Sequence, residues 1–211
     1  MKEVLRAADA KNAENGDVLE LERIGKTLVI RFIRPQIRNP LSVVVLEQLD
    51  EIIDSPLNDE IDDVIFTGTD DIFASGADLR EIAKVTAETA REFAMRGQDL
   101  MTKIASLSQT TIAAINGYCF GGALDLALAC DKRIASPNAK FAHPGTGLGI
   151  ITGWGGTQRL PRLIGQTAAL EMFFTAEAID SQRALEIGLI DMLADDALAE
   201  SFAWTVGVVS S

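Results

Sequence analysis

The stretch Ala113-Ala114-Ile115-Asn116-Gly117-Tyr118-Cys119-Phe120-Gly121-Gly122-Ala123-Leu124-Asp125-Leu126-Ala127 changes character twice. Thr110 to Ile115 is a short β-branched and alanine run that reads as a strand, and Asn116-Gly117 follows as a turn. Gly121-Gly122 opens a helix that continues through Ala129, and Lys132 to Ala135 is the next strand. The same order stands upstream. Val64 to Thr67 reads as a buried strand, Phe73-Ala74-Ser75-Gly76-Ala77-Asp78 as a glycine-bearing loop, and Leu79 to about Leu107 as helical with a break near Thr86. Strands and helices alternating in this way form an α/β core in which sheet and helix are layered.

Reading outward, Val18 to Ile24 and Thr27 to Ile33 flank Gly25-Lys26 as a β-hairpin. Ser42 caps a helix to about Asp54, with Val43, Leu46, Leu49, Ile52 and Ile53 at helical spacing and Pro56 ending it. Beyond the glycine-rich stretch Pro144 to Gly156 come helices around Gln158 to Phe174 and Ser181 to Ile187, a short strand near Leu189 to Leu193, and a last helix. Met1 to Gly16 is polar and ends in a turn signal, so residues 1–16 read as an extension and residues 17–211 as one domain.

Composition narrows the partners. The chain has 31 acidic against 19 basic residues, a formal net charge of -12, which repels nucleic acid and anionic membrane surfaces alike. The longest nearly apolar run, Cys119 to Cys130, is broken by Asp125 and is too short to span a bilayer. One histidine and two cysteines offer no set of metal ligands, so neither a metal site nor a metal cofactor is expected. Cys119 and Cys130 in apolar segments, with no signal-peptide pattern at the start, suit a cytoplasmic setting.

Two places share one design: Gly76-Ala77 and Gly121-Gly122 each end a strand and deliver a backbone N–H toward an incoming helix. Glycine lets a ligand approach the backbone, and the first amides of a helix are unpaired at its positive end. Two such donors aimed at one oxygen make an oxyanion hole. Ordinary connector geometry is the other reading of the same residues.

The quoted run 113–127 resembles the signature segment of the crotonase (enoyl-CoA hydratase/isomerase) superfamily. Phe73 to Asp78 is similar to that family's first oxyanion loop, and Gly153-Trp154-Gly155-Gly156-Thr157-Gln158-Arg159-Leu160 to its downstream glycine-rich segment. Arg34-Pro35 through Arg38-Asn39-Pro40-Leu41-Ser42 resembles its CoA-clasping loop, with Pro40 where alanine is more usual. The resemblance implies a ββα spiral (ClpP/crotonase) fold with a shortened C-terminal helical region. It implies an acyl-CoA substrate whose thioester enolate is held by the amides of Ala77 and Gly122, with Asp125 as acid/base and no cofactor beyond the CoA that belongs to the substrate. Around them, Arg34 and Arg38 would meet the CoA phosphates, and Gly76, Asp78, Leu79, Tyr118, Phe120, Gly121, Gly145 and Leu148 would surround the acyl thioester. The setting is fatty acid or related acyl degradation, and the assembly a homotrimer or hexamer.

Departures from the pattern bear on the reaction. Hydratases of the family use two glutamates; here the first position is Asp125 and the second is Gly145, inside His143-Pro144-Gly145. Gly153 likewise replaces an acid used by dienoyl-CoA isomerases. One carboxylate with a raised pKa can shuttle a proton between two carbons, which favours isomerisation over hydration. Asp125 in a first helical turn also stabilises the helix dipole without any catalytic duty. His143 can in principle replace the lost group, but beside a proline it reads as a packed loop residue; a bicarbonate beside Gly145 is a further conjecture. Trp154 and Thr157-Gln158-Arg159 read as packing and capping residues. Decarboxylation or hydrolysis of an acyl-CoA, and non-catalytic acyl-CoA binding, stand as alternatives. Phe202, Trp204, Val206, Val208 and Val209 form a late apolar cluster that reads either as an interface or as a terminal helix docked on its own core.

Overall fold

A computed structural model describes residues 2–5, 18–55 and 60–207. The frame is a seven-stranded sheet built from β1 (Lys2–Leu5), β2 (Leu19–Ile24), β3 (Thr27–Phe32), β4 (Asp63–Thr67), β6 (Thr110–Ile115), β8 (Lys132–Ala135) and β11 (Met192–Leu193), in that spatial order. β2 and β3 form the expected hairpin, while β3, β4, β6, β8 and β11 run parallel. β4 and β6 are buried along nearly their whole length, which is why they read as unbroken apolar runs rather than alternating ones. Lys2–Leu5 pair antiparallel with β2, so this part of the segment expected to precede the domain lies on its sheet.

A second, four-stranded sheet has the order β10 (Ile179–Asp180), β9 (Lys140–Ala142), β7 (Tyr118–Phe120) and β5 (Ile72–Ala74). Its strands are two or three residues long. None of them stands out in the sequence, because a run this short has no periodicity to show.

Helices fill the space between and beyond. α1 (Val43–Ile53) starts where Ser42 accepts a bond from the Val45 amide at 3.4 Å. α2 (Leu79–Ile82) and α3 (Ala90–Ala105) are the two parts of the broken helical stretch, and α4 (Gly122–Ala129) is buried almost throughout. α5 (Gly156–Ile164) and α6 (Gln166–Thr175) are separated at Gly165, whose φ of +83° interrupts the helix; α7 (Ser181–Glu186) and α8 (Ala197–Thr205) complete the described chain. The main core packs the small sheet, α1, α3 and α4 against one face of the large sheet. On the other face Val29, Ile65, Ile112, Ala114 and Ile134 are covered by α8 through Ala197, Leu198, Phe202 and Trp204. Phe202 and Trp204 pack, partly buried, on their own sheet, in line with the reading of this cluster as a terminal helix docked on its own core. Val206 is exposed, and Val208 and Val209 lie outside the described residues.

Candidate active site

The small sheet aims two turns at one place. β5 leads through Ser75 and Gly76 to Ala77, and β7 leads through Gly121 into α4 at Gly122. Gly76 has φ +81° and Gly121 φ +56°, a backbone region that favours glycine. A methyl on Gly76 would lie 2.6 Å from the Phe120 carbonyl oxygen and 2.7 Å from the Gly122 nitrogen, so only glycine lets the two turns touch. A methyl on Gly122 would in turn sit 3.4 Å from the Ala77 nitrogen. Neither the Ala77 nor the Gly122 amide donates a hydrogen bond to another described residue, whereas Gly121 donates to the Ala142 carbonyl at 2.8 Å and so ties the second turn to β9.

Asn39, which the sequence reading passed over, anchors the first turn. It is buried, its amide donates to the Ile72 and Phe73 carbonyls at 3.1 and 3.2 Å, and its oxygen accepts from the Arg34 amide at 2.6 Å. The Leu41 amide adds a bond to the Gly76 carbonyl at 2.8 Å. The arginine-bearing loop 34–41 is thereby strapped to the Gly76 turn.

A cavity of about 300 Å³ opens in front of both turns, a size typical of a small-molecule site. Ala77, Leu79, Gly121, Gly122, Asp125, Gly145 and Leu148 border it, as the sequence suggested. Six other expected residues do not. Gly76 stands behind the turn as its hinge. Asp78 is buried and engaged with Arg80, accepting from its amide at 2.8 Å and pairing with its guanidinium at 2.6 Å, which holds the carboxyl below the usual carboxylate range. Tyr118 is exposed and stacks edge-on against Phe120, both away from the cavity wall. Arg34 and Arg38 also lie outside the cavity lining, Arg34 half-buried and Arg38 exposed at φ +65°.

Asp125 sits on the cavity floor with no exposed surface. Burial pushes its carboxyl up to about 7, against the opposing pull of the Thr152 hydroxyl, neighbouring backbone amides and the Arg159 charge. Thr152 donates to Oδ2. Oδ1 has no hydrogen-bond partner and faces His143 Nε2 at 3.6 Å. His143 is also buried, with both ring nitrogens unpartnered and the ring tilted against Phe173 at 5.1 Å; burial lowers its pKa to about 4. Thr152 and the placement of His143 were beyond sequence reasoning, since nothing in spacing shows that loop 143–156 folds back over α4.

Two further loop residues shape the walls. Trp154 is buried, and its ring presses on both Gly97 of α3 and Gly122, where a side chain would collide with it. Gln98 donates to the Gly153 carbonyl at 2.7 Å, and Arg159 bonds the Trp154 and Met101 carbonyls at 3.3 and 3.2 Å, which fixes the loop to α3. A methyl at Gly145 would lie 2.9 Å from the Ile150 carbonyl oxygen, so a side chain there displaces backbone.

Paired amide turns and a buried carboxyl, carried by an α/β frame, thus border one cavity. The enoyl-CoA hydratase/isomerase family model matches residues 23–204, and the chain belongs to that family. It is 40% identical over 177 residues to the short-chain-enoyl-CoA hydratase of Clostridium acetobutylicum, a match covering 83% of this chain and 68% of that protein. Identity to the crotonyl-CoA hydratase of Syntrophomonas wolfei is 40% over 174 residues, covering 81% and 66%. The crystal structure of enoyl-CoA hydratase from Bacillus anthracis superposes with a TM-score of 0.82 at 35% identity, over 91% of this chain and 76% of that one. The fold is the crotonase fold, and the chain spans about two thirds of the length of these curated relatives.

Proposed function

We propose that the chain acts on an enoyl-CoA thioester, with the Ala77 and Gly122 amides stabilising the enolate oxygen and Asp125 moving the proton. The observation that carries this reading is the pair of unpartnered amides packed against each other beside a buried carboxyl poised near neutrality. Amides fixed in advance stabilise charge that develops on an oxygen without reorganising, a contribution of about 3–4 kcal/mol per donor. A base with a pKa near the working pH is matched to its task.

Residues Leu79, Leu148 and Trp154 would enclose the acyl chain, and Arg34 and Arg38, on the loop strapped to the Gly76 turn, would meet the CoA phosphates. No helix among the described residues is long and apolar enough to cross a membrane. The buried free thiols of Cys119 and Cys130 fit a cytoplasmic protein, and by family resemblance it assembles as a homotrimer or hexamer, which sedimentation velocity would read directly.

The test is Asp125→Asn assayed with but-2-enoyl-CoA. We expect kcat to fall by about 10²–10⁴-fold with KM little changed. Undiminished turnover would refute the acid/base role. A panel of malonyl-, enoyl- and dienoyl-CoA separates decarboxylation and isomerisation from enoyl chemistry, and tight binding of all with turnover of none would make the chain an acyl-CoA binder.

A further inference from the structure

The cavity has an open end and a closed one. Ala90, Phe93, Ala94 and Gly97 follow one another at spacings of three and four residues, which puts them on one side of α3. The first three line the cavity, and Gly97 does not. The Trp154 ring stands between. A methyl on Gly97 would collide with Cγ, Cδ1 and Nε1 of the indole, and a methyl on Gly122 with Cε3 and Cζ3. The ring system thus rests one edge on α3 and the other on the start of α4. Phe93 packs against it with ring centroids 6.0 Å apart. The backbone that carries the indole is tied on both sides, by Gln98 to the Gly153 carbonyl and by Arg159 to the Trp154 and Met101 carbonyls, so the ring is held in place. Toward the mouth the walls change: Leu79, Leu148 and Ile151 are each more than half exposed, at 57%, 55% and 60%.

We propose that Trp154 sets the length of acyl chain the site takes, by closing the groove along α3 at Gly97, and that the substrates are short-chain acyl-CoA thioesters. This rests on the function proposed above, which places a thioester carbonyl at the Gly122 amide, and adds to it the size of the acyl group. The ring edge that abuts Gly122 lies beside that carbonyl, so the closed end is reached within a few carbons. A chain that outgrows it has one course left, back along Leu79, Leu148 and Ile151 toward the mouth, where water already reaches the walls. A methylene that enters dry apolar space is worth about fourfold in affinity, and one that stays in water adds little. Affinity should therefore climb with chain length only until the indole is met. Without the indole, the space over Gly97 joins the cavity and the climb continues.

The experiment measures binding of saturated acyl-CoAs by calorimetry, which needs no turnover. Acetyl-, butyryl-, hexanoyl-, octanoyl- and decanoyl-CoA are titrated into the wild-type protein and into W154A and W154L. In the wild type we expect affinity to rise through the shortest chains and then to level off or fall. In W154A the rise should extend to octanoyl-CoA, with the octanoyl-to-butyryl affinity ratio raised by about tenfold or more. W154L, which keeps part of the apolar bulk and strains the fold less, should shift the ratio the same way by a smaller factor. A wild-type affinity that climbs by about fourfold per methylene through decanoyl-CoA overturns the proposal, whether or not either variant folds. An unchanged ratio in folded W154A does the same. Turnover of but-2-enoyl-CoA, assayed in parallel, separates this proposal from the reading beneath it. A break at short chains without turnover keeps the length limit and removes the enzymatic reading; turnover without a break keeps the enzyme and removes the limit. Binding of no acyl-CoA at all removes both.

Discussion

The two sheets divide the labour of the molecule. The large sheet has strands up to six residues long, buried on both faces by two separate clusters, and no residue of β4 or β6 borders the cavity. The small sheet has strands of two or three residues, and its ends deliver Ala77, Gly122 and His143 to the cavity. On the proposed function, stability is expected to reside mainly in the first and chemistry in the second. Mutations should therefore sort by sheet.

The widest split is expected at Phe66, fully buried in β4. Phe66→Ala should cost about 3–5 kcal/mol of stability, read by urea denaturation, while kcat of the fraction that remains folded stays within a few-fold; a large fall in kcat at full folding would erase the division. Next comes Asp125, where function works against stability. Its carboxyl holds a proton to about 7 when folded against 3.8 for the free group, so the stability it lends is complete below the lower value and is lost as pH rises toward the upper one. Asp125→Asn escapes that loss. Relative to wild type it should gain up to roughly 4 kcal/mol between about pH 4 and 8, measured as the difference between the two denaturation curves. His143 has the opposite slope, its stabilisation present above 6.5 and lost as pH falls toward about 4, and it largely cancels in that difference. By the same shift, kcat/KM should fall below about pH 7 as Asp125 takes up its proton.

Gly122→Ala tests the small sheet directly. The methyl would strike the Trp154 ring and crowd the Ala77 amide at 3.4 Å, so a loss of about 10²–10³-fold in kcat of the folded protein is expected, together with an overpacking cost of about 1–3 kcal/mol in stability. The smallest effect is assigned to the outer loop: Arg34→Ala with Arg38→Ala should raise KM for an acyl-CoA by about tenfold, as befits charge-assisted bonds to phosphate, and leave the KM for a short pantetheine thioester unchanged. A KM insensitive to the CoA nucleotide would remove both arginines from the binding surface.

The same division explains what the sequence disclosed. Hairpin β2–β3, α1 with its Ser42 cap, β4, β6 and α4 all carry periodicity or unbroken apolar runs, because each is long enough to bury a face. β5, β7, β9 and β10 carry no such pattern, and they hold together through pairing with one another across long stretches of chain. Among the cavity residues, the Gly76-Ala77 and Gly121-Gly122 turns leave local marks as glycine turns at helix starts, whereas Asp125 is singled out only through the family resemblance of the run 113–127. Thr152, His143 and Gly156 meet Asp125 only through the fold-back of loop 143–156, a tertiary fact with no local trace. Tyr118 shows the converse error: strand alternation turns it outward while Cys119 goes in.

The Trp154 ring reaches from Gly97 to Gly122, so one of the chain's two tryptophans forms part of the cavity wall beside the Gly122 turn. Trp204 sits on the opposite face of the large sheet, beneath Lys132 at 5.2 Å. Replacing Trp204 with Phe would leave a single emitter inside the site, and its fluorescence would report thioester arrival in real time without any label.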